Sequence, residues 1–583
     1  MARDCIDAIN GKKPFDLIIR NVRIINVFSL ALQEGDIAIC GDTIAYVGKM
    51  DFPHTAREEL DGQGRYAIPG LIDAHMHIES SMMVPARFAE LALACGTTTV
   101  AADPHEIGNV FGVEGVKALS EAAAGSPLHV YMLAPSTIPS APGLETTGAS
   151  VGAKEMAEML DLPHIYGMGE VMDFNGVADG EEDILSVVET ARTQGVLMDA
   201  HVTRLSGRRL QAFRTTGADA DHTDTSIPYA REKLETGFAI QVQRTFLSAE
   251  LMEFLEGYPM QDRIMLITDD VPFIELVRNG HLNANLREAI SLGLDPIRAV
   301  RYATLNAADR LRLYDRGAVS PGYKADILLL DKLEEMRPSL VLSDGRVAVK
   351  DGKCIAQIPD YTFPKHFYTS VHVPSLTAED FVIRTEAGAS KALVNTIGCG
   401  QVNTRTEKAE KWVPVKNGVL DTQELMKMAV IYRHGKGEEK APEKKIALGL
   451  ISGFPEFHGA IATTYAHDSH NLTIYGSCDE DMALAGNHLA EMGGGLCAVQ
   501  DGKVVSQVSL PVAGLLSEEP VETLRQEFED FFAAVEKLSL VHEHPMTFLT
   551  LMALAVSPEI KCTDIGLVDV VNKKLLPLVV KAE

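Results

Sequence analysis

The chain has 583 residues, of which 46% are hydrophobic and 23% charged, and its formal net charge is −28. At about 100–200 residues per domain, this length predicts roughly three or four domains, and the composition excludes disordered, collagen-like and coiled-coil chains. Because so acidic a surface repels phosphate groups, we expect no nucleic-acid partner and no membrane partner.

The cysteines and the N-terminus indicate where the protein resides. The eight cysteines lie far apart without a CxxC pair, so neither a disulfide framework nor a cysteine zinc site is indicated. Residues 1–16 lack the apolar core of a signal peptide, and no run reaches the roughly 18 apolar residues of a membrane span. We therefore expect a soluble, cytoplasmic protein.

Two distant segments, 16–66 and 325–349, have the alternation and the turn residues of β structure, and they define domain parts at residues 1–66 and 317–375. Asp344-Gly345 in the second segment is a strong hairpin signal. We interpret the two segments as parts of one small β-sandwich domain that is split by an insertion. Two unrelated small sheets are the alternative.

Residues 67–316 alternate between strand and helix patterns. Eight short apolar runs lie near residues 67–77, 97–103, 129–135, 165–170, 196–201, 218–222, 238–243 and 264–269. Eight such units in about 250 residues predict an α/β fold of the (β/α)₈ TIM barrel type. An open doubly wound sheet would normally carry a Gly-rich turn after its first strand, where this chain has His75 and His77.

Residues 376–583 predict a separate C-terminal α+β domain. The pattern indicates helices and strands in alternation, with a hairpin around Asp501-Gly502 and a charged loop at 434–445. The predicted helices cover 421–432, 479–492 and 519–538, and the predicted strands cover 446–451 and 472–475.

Polar residues end several of the predicted barrel strands, where a barrel carries its chemistry. His75 and His77 are two residues apart, so on a strand both imidazoles can reach one metal ion. Each such residue alone is more often structural, but their recurrence at strand ends favours a metal site. The candidate metal ligands are His75, His77, Glu170, His201, His222 and Asp269.

Two carboxylates, Asp269 and Asp270, follow the last apolar strand of the predicted barrel. A nearby cation would relieve their mutual repulsion, and Asp269 could both bind a metal and accept a proton from water. Asp270 could instead cap the helix that begins near Pro272. Glu170 has two carboxylate oxygens and can therefore bridge two cations.

Further polar residues follow the first two predicted strands and are candidates for the substrate pocket. Loop solvation and helix capping are the alternative for all of them. They are Glu79, Ser80, Ser81, Asp103, His105 and Glu106. In the C-terminal domain the dense cluster AHDSHN at 466–471 could be a metal site, a lid, or a polar turn between strands.

Several of these strings resemble known proteins. PGLIDAHMH at 69–77 resembles the first-strand signature of the amidohydrolase superfamily, whose members have a metal-bearing (β/α)₈ barrel inserted in a small β-sandwich. Within it, HIESSMM at 77–83, DPHE at 103–106, GEVMD at 169–173 and AHDSHN resemble the bacterial adenine deaminase family over nearly the whole chain.

The resemblance implies that a metal-bridging hydroxide attacks C6 of adenine and yields hypoxanthine and ammonia, in purine salvage or adenine catabolism. It implies two divalent ions, Mn²⁺ or Fe²⁺ with Zn²⁺ possible, on the six ligands, and a homo-oligomer, a dimer. Asp269 and Glu170 would be catalytic, Glu79 or His105 would donate a proton to the ring, and Ser80, Ser81, Asp103 and Glu106 would bind the base.

The chain departs from the family pattern at two places. Val202-Thr203-Arg204 follows His201 where the family has a His-Ala-Pro-like string, and Thr223 stands where the family has Glu. An altered pocket wall would favour another amidohydrolase, acting on a different purine or a cyclic amide. Hydrolases of the dihydropyrimidinase type, however, usually bridge their metals with a modified lysine on strand 4, where this chain has Glu170. A non-catalytic barrel would be expected to lose metal ligands.

Overall fold

The computed structural model describes residues 2–399, 406–435, 445–540 and 542–583. The chain begins with one helix and five strands, and β1 pairs antiparallel with β2 and parallel with β4 and β5. These elements are α1 (Ala2–Ile9), β1 (Phe15–Asn26), β2 (Ala31–Cys40), β3 (Thr43–Gly48), β4 (Ala56–Asp61) and β5 (Tyr66–Pro69).

Eight parallel strands follow and pair in sequence order, which confirms the predicted barrel. A parallel bridge between Met76 and Asp269 joins the first strand to the segment that directly follows the last strand, and so closes the barrel. Residues 67–69, predicted in the first barrel strand, belong instead to β5. The barrel strands are β6 (Leu71–Met76), β7 (Thr97–Ala102), β8 (His129–Ala134), β9 (Ile165–Met168), β10 (Leu197–Ala200), β11 (Ala220–Asp221), β12 (Ala239–Val242) and β13 (Ile264–Leu266).

Most barrel strands are buried along their whole length because a parallel sheet is covered on both faces. Its helices pack outside the strands or follow them. They are α2 (Pro85–Ala94), α3 (His105–Phe111), α4 (Val113–Ala123), α5 (Ala153–Leu160), α6 (Phe174–Asp179), α7 (Glu182–Gln194), α8 (Gly207–Arg214), α9 (Ile227–Glu235), α10 (Ala249–Gly257), α11 (Phe273–Asn279), α12 (Leu282–Ser291), α13 (Pro296–Tyr302) and α14 (Leu305–Arg310).

Four strands after the barrel complete the first sheet. They are β14 (Ile327–Leu330), β15 (Pro338–Ser343), β16 (Arg346–Lys350) and β17 (Lys353–Cys354). β14 pairs antiparallel with β5, so hydrogen bonding joins both segments in one nine-stranded sheet. The barrel is therefore inserted between adjacent strands of a single β unit, not placed between two unrelated sheets.

The described residues of the C-terminal part form a ten-stranded sheet, a three-stranded sheet and three α-helices. Its elements are β18 (Lys391–Cys399), β19 (Thr406–Lys416), β20 (Val419–Leu420), β21 (Met426–Ile431), β22 (Ile446–Ser452), β23 (Ala460–Thr463), β24 (Leu472–Gly476), α15 (Asp479–Met492), β25 (Gly495–Gln500), β26 (Lys503–Ser509), α16 (Val521–Lys537), α17 (Pro545–Leu551), β27 (Ile560–Thr563), β28 (Gly566–Asp569), β29 (Lys574–Leu576) and β30 (Val579–Ala582).

The helix predicted at 421–432 is wrong, because this segment contains strand β21. All six residues of β21 are buried, and the strand pairs with β22 on one side and β24 on the other. Methionine, lysine and alanine favour a helix by local propensity, but pairing on both sides of a central strand prevails. The helices predicted at 479–492 and 519–538 and the hairpin at Asp501-Gly502 are present. The loop predicted at 434–445 lies largely outside the described residues.

The C-terminal domain packs against the mouth of the barrel. The backbone of Ser517 exchanges hydrogen bonds with Met82 and Val84, which follow the first barrel strand. The rings of Phe273 in α11 and Phe528 in α16 stack with centroids 5.0 Å apart. Among the described residues, every helix is too short or too polar to span a lipid bilayer.

Candidate metal centre and substrate cavity

The six candidate ligands converge at the carboxyl ends of the barrel strands. His77 Nε2 lies 3.3 Å from Asp269 Oδ1, His222 Nε2 lies 3.2 Å from Glu170 Oε2, and His201 Nδ1 contacts the same Glu170 oxygen. Glu170 Oε1 lies 3.6 Å from His77 Nε2, whereas its Oε2 contacts both His201 and His222. One carboxylate therefore stands between two groups of imidazoles.

The two histidines of the first strand are oriented by acceptors behind them. His75 Nδ1 lies 3.0 Å from Asp199 Oδ2, and His77 Nδ1 lies 2.9 Å from the carbonyl oxygen of Asp103. Because these acceptors hold a proton on Nδ1, each Nε2 keeps a lone pair that faces the centre. His75 Nε2 is fully buried and has no hydrogen-bond partner among the described residues. Such an orphaned acceptor, beside carboxylates, fits a bound divalent metal ion.

The electrostatics of this centre favour positive charge. Burial raises the pKa of Glu170, but the imidazoles of His201 and His222 outweigh it and hold that pKa well below its ordinary value. Burial likewise lowers the pKa of His75, but the hydrogen bond to Asp199 prevails and raises it to about 9. Where neighbouring carboxylates favour protonated histidines, a bound metal cation can replace those protons.

Several residues that support the ligands were not predicted. Arg310 in α14 donates to Asp199 Oδ1 over 2.8 Å, and Gln243 Nε2 donates to Asp269 Oδ2 over 2.8 Å. Asp199 could have been found, because it lies two residues before His201 and so on the same side of one strand. Nothing in the local sequence marks Arg310, which reaches the centre from a distant helix.

Gly169 permits the placement of Glu170. The Glu170 N–H donates to Asp103 Oδ2 over 2.9 Å, and a Cβ on Gly169 would lie 2.0 Å from that same oxygen. Asp103 thus holds His77 with its backbone and Glu170 with its side chain. It supports two ligands, whereas we predicted that it would bind the substrate.

A cavity of about 740 Å³ opens beside the metal centre. It is lined by both the barrel and the C-terminal domain, among them Ser80, Met82, Gln243, Asp269, Asp270, Asn285, Tyr465, His467, Met546, Thr550 and Leu551. Its mixture of apolar walls and a few polar groups is that of a site for a small molecule.

Two family models and many curated proteins match the chain. The amidohydrolase family model covers residues 66–355, and the model of the adenine deaminase C-terminal domain covers 403–574. Adenine deaminase 2 of Carboxydothermus hydrogenoformans is 35% identical over 99% of both chains. The adenine deaminases of Desulfatibacillum aliphaticivorans and Kosmotoga olearia are 38% and 36% identical over at least 97% of each chain.

The chain belongs to the adenine deaminase family. The two departures from the pattern of that family do not reach the cavity. Thr223 binds Asp221 through its N–H and its hydroxyl, each over 3.1 Å, and Arg204 pairs with Asp224. Neither Thr223 nor Arg204 is among the residues that line the cavity.

The remaining pocket candidates occupy different positions in this deaminase fold. Ser80 lines the cavity and donates to Asp270, whereas the Ser81 hydroxyl donates to the carbonyl oxygen of Ile78. Glu79 is fully buried, and burial together with the charge of Glu106 raises its pKa to about 7. The predicted capping role of Asp270 is wrong, because the N-cap of α11 is Pro272 and the Asp270 carboxylate faces Ser80 instead.

His105 and Glu106 begin α3 beside the metal centre. His105 Nδ1 lies 3.8 Å from both Asp103 Oδ1 and Glu170 Oε1. Burial lowers the pKa of His105, but the carboxylates, Glu106 first among them, raise it to about 10. Glu106 faces the C-terminal domain, where it contacts His467 and His470. The predicted cluster at 466–471 therefore lies at the barrel mouth.

Proposed function

We propose that this chain hydrolyses adenine to hypoxanthine and ammonia with the aid of two divalent metal ions. The observation that carries the proposal is the Glu170 carboxylate between His77 on one side and His201 and His222 on the other, in a chain that matches adenine deaminases over its full length. A cyclic-amide hydrolase is the weaker candidate, because the strand-4 position holds a glutamate and no lysine.

The donors divide into two overlapping sets. His75, His77 and Glu170 would hold one ion, with Asp269, whose Oδ1 lies 3.3 Å from His77 Nε2. Glu170, His201 and His222, whose donor atoms also lie close together, would hold the other. Imidazole and carboxylate donors without a thiolate suit Mn²⁺ or Fe²⁺, and Zn²⁺ as well. Bound ions would acidify a water molecule and stabilise negative charge during attack on C6.

The protein side chains carry the protons of this reaction. An Asp269 carboxylate oxygen accepts the proton of the attacking water and then passes it to the departing 6-amino nitrogen. Gln243 donates to Asp269 Oδ2 and so holds that carboxylate in place. Glu79 and His105 remain candidates for donation to the purine ring, and Ser80 for contact with the base.

The proposal is tested by metal analysis together with a screen for ammonia release over purines and pyrimidines. We expect two ions per chain and release of ammonia from adenine at the highest rate. A fully active sample with one ion per chain would exclude the two-ion arrangement. Activity on a cyclic amide, without ammonia from adenine, would exclude the deaminase.

The family also suggests a cytoplasmic homodimer that acts in purine salvage. Light scattering of the purified protein measures its mass in solution. A mass of one chain at assay concentration would contradict the dimer.

A further inference from the structure

Three side chains of the C-terminal domain surround a carboxylate of the barrel. Glu106 is fully buried, and His467 Nδ1 lies 2.7 Å from its Oε1. His470 Nε2 contacts Glu106 Oε2, and the Tyr465 hydroxyl lies 3.4 Å from Glu106 Oε1. The two domains therefore meet in a buried polar network directly beside the substrate cavity.

The hydrogen bonds of His470 define its role. Its Nδ1 accepts a hydrogen bond from the N–H of Ala466 over 3.2 Å, so the proton of a neutral ring must be on Nε2. That Nε2–H donates to Glu106, and a nitrogen that carries a proton cannot bind a metal. This arrangement argues against a metal site at 466–471, and it makes His470 the residue that fixes the Glu106 carboxylate.

His467 differs from His470 because it also lines the cavity. Its Nδ1 faces Glu106, so Nε2 is the ring nitrogen that this carboxylate does not engage. Burial lowers the pKa of His467, but the Glu106 carboxylate outweighs it and raises that pKa well above its ordinary value. Burial lowers the pKa of His470, which stays neutral. One imidazole of the pair therefore holds a positive charge at the cavity wall.

We propose that His467, oriented by Glu106, contacts the bound purine and donates a hydrogen bond from Nε2 to a ring nitrogen. The inference rests on the proposed deamination of adenine. Attack at C6 pushes electron density onto the ring nitrogens, and a fixed donor there stabilises the transition state more than the substrate. The C-terminal domain thus completes the active site, and its cluster is neither a solvated turn nor a metal site.

The test combines substitutions with purines that lack one ring nitrogen. His467→Asn and Glu106→Gln are compared with wild type on adenine and on 1-deaza-, 3-deaza- and 7-deazaadenine. His458→Asn, at an exposed histidine of the same domain, is the control. We expect His467→Asn to lower kcat on adenine by about 10²–10³-fold, as removal of one such donor does. Glu106→Gln should lower it less, because the donor remains but its orientation is lost.

The deaza analogues separate contact with the base from a structural role. We expect wild type to be less active on one of the three analogues than on adenine. On that analogue His467→Asn should be as active as wild type, whereas on the other two it should be less active than wild type. An equal loss on all three analogues would overturn the inference, and so would a kcat on adenine within threefold of wild type. If wild type turns over all three analogues as fast as adenine, the measurements on wild type alone overturn the inference. Wild type that releases no ammonia from adenine would overturn both the inference and the proposed function.

Discussion

Glu170 contacts three of the other candidate ligands, His77, His201 and His222. Its two oxygens face different imidazoles, and its backbone N–H binds Asp103. We expect Glu170→Gln to lose at least one metal ion and most of the activity, because a neutral amide cannot bridge two cations. Elemental analysis and the ammonia assay measure both effects. Glu189→Gln, on an exposed helix face, is the control, and normal metal content in Glu170→Gln would refute a bridging role.

Asp269 combines metal binding with proton transfer in the proposed mechanism. Asp269→Asn should lower kcat by about 10²–10⁴-fold, the usual loss when a general base is removed. The assay uses protein saturated with metal, so that lost affinity is not mistaken for lost proton transfer. Asp262→Asn, at an exposed aspartate, is the control. Near-normal turnover in metal-replete Asp269→Asn would show that another group accepts the proton.

Among the candidate ligands, Asp199 contacts His75, so its substitution separates metal affinity from catalysis. Asp199→Asn should weaken metal binding by about 10–100-fold, because His75 loses the acceptor that orients it and raises its basicity. At saturating metal concentration most of the turnover should return. A metal titration followed by activity checks this, with Asp183→Asn on the surface for comparison. An unchanged affinity would mean that Asp199 serves the fold alone.

At the residue scale, the sequence indicates polar side chains at the ends of strands. It does not indicate side chains that distant elements bring to the site. We predict a shared site because each candidate ligand ends or closely follows an apolar run that periodicity can locate, and the structure brings the six side chains together. They are His75, His77, Glu170, His201, His222 and Asp269. The local sequence does not indicate Arg310 or Gln243, and it leaves several roles open for His467. Their positions depend on which distant elements pack together, and no local pattern contains that information.

At the scale of elements, the barrel was predictable because strand and helix patterns alternate and turn residues separate them. Strand β21 was not predictable, because a short buried apolar run can form either a strand or a helix. Pairing with neighbouring strands determines which of the two it forms. The start of the first barrel strand was misplaced for a related reason. Residues 67–69 continue the same apolar run as Leu71, but they pair with a strand that begins at residue 327.

The turn after β9 requires glycine at position 169 because a side chain there would collide with Asp103. Gly169→Ala would place a methyl group 2.0 Å from Asp103 Oδ2, so the turn or the carboxylate must shift. We expect a loss of about 1–3 kcal/mol in unfolding free energy, as for other overpacked sites, and weaker metal binding. Denaturant titration and metal analysis measure the two effects. Gly257→Ala, where a Cβ would meet no atom within 4 Å, should leave both unchanged, and an equal loss there would contradict the steric explanation.

At the scale of the whole molecule, one apolar core runs from the barrel into the C-terminal domain. It includes Phe88 and Phe273 on one side and Phe528 and Phe531 on the other. The two domains should therefore unfold together. We expect a single calorimetric transition, and Phe528→Ala should lower the unfolding free energy by about 3–5 kcal/mol while leaving that transition single. Two separated transitions in wild type would show that the domains are independent.

The antiparallel pairing of β5 with β14 has a consequence for synthesis of the chain. Roughly 260 residues separate these strands, which a ribosome takes on the order of 13–50 s to add. During that time β5 has an unpaired edge, while the barrel that will cover the region is still being made. An open edge of this kind can pair with another nascent chain, so protection by a chaperone during translation should matter more for this enzyme than for a barrel whose strands pair as they emerge.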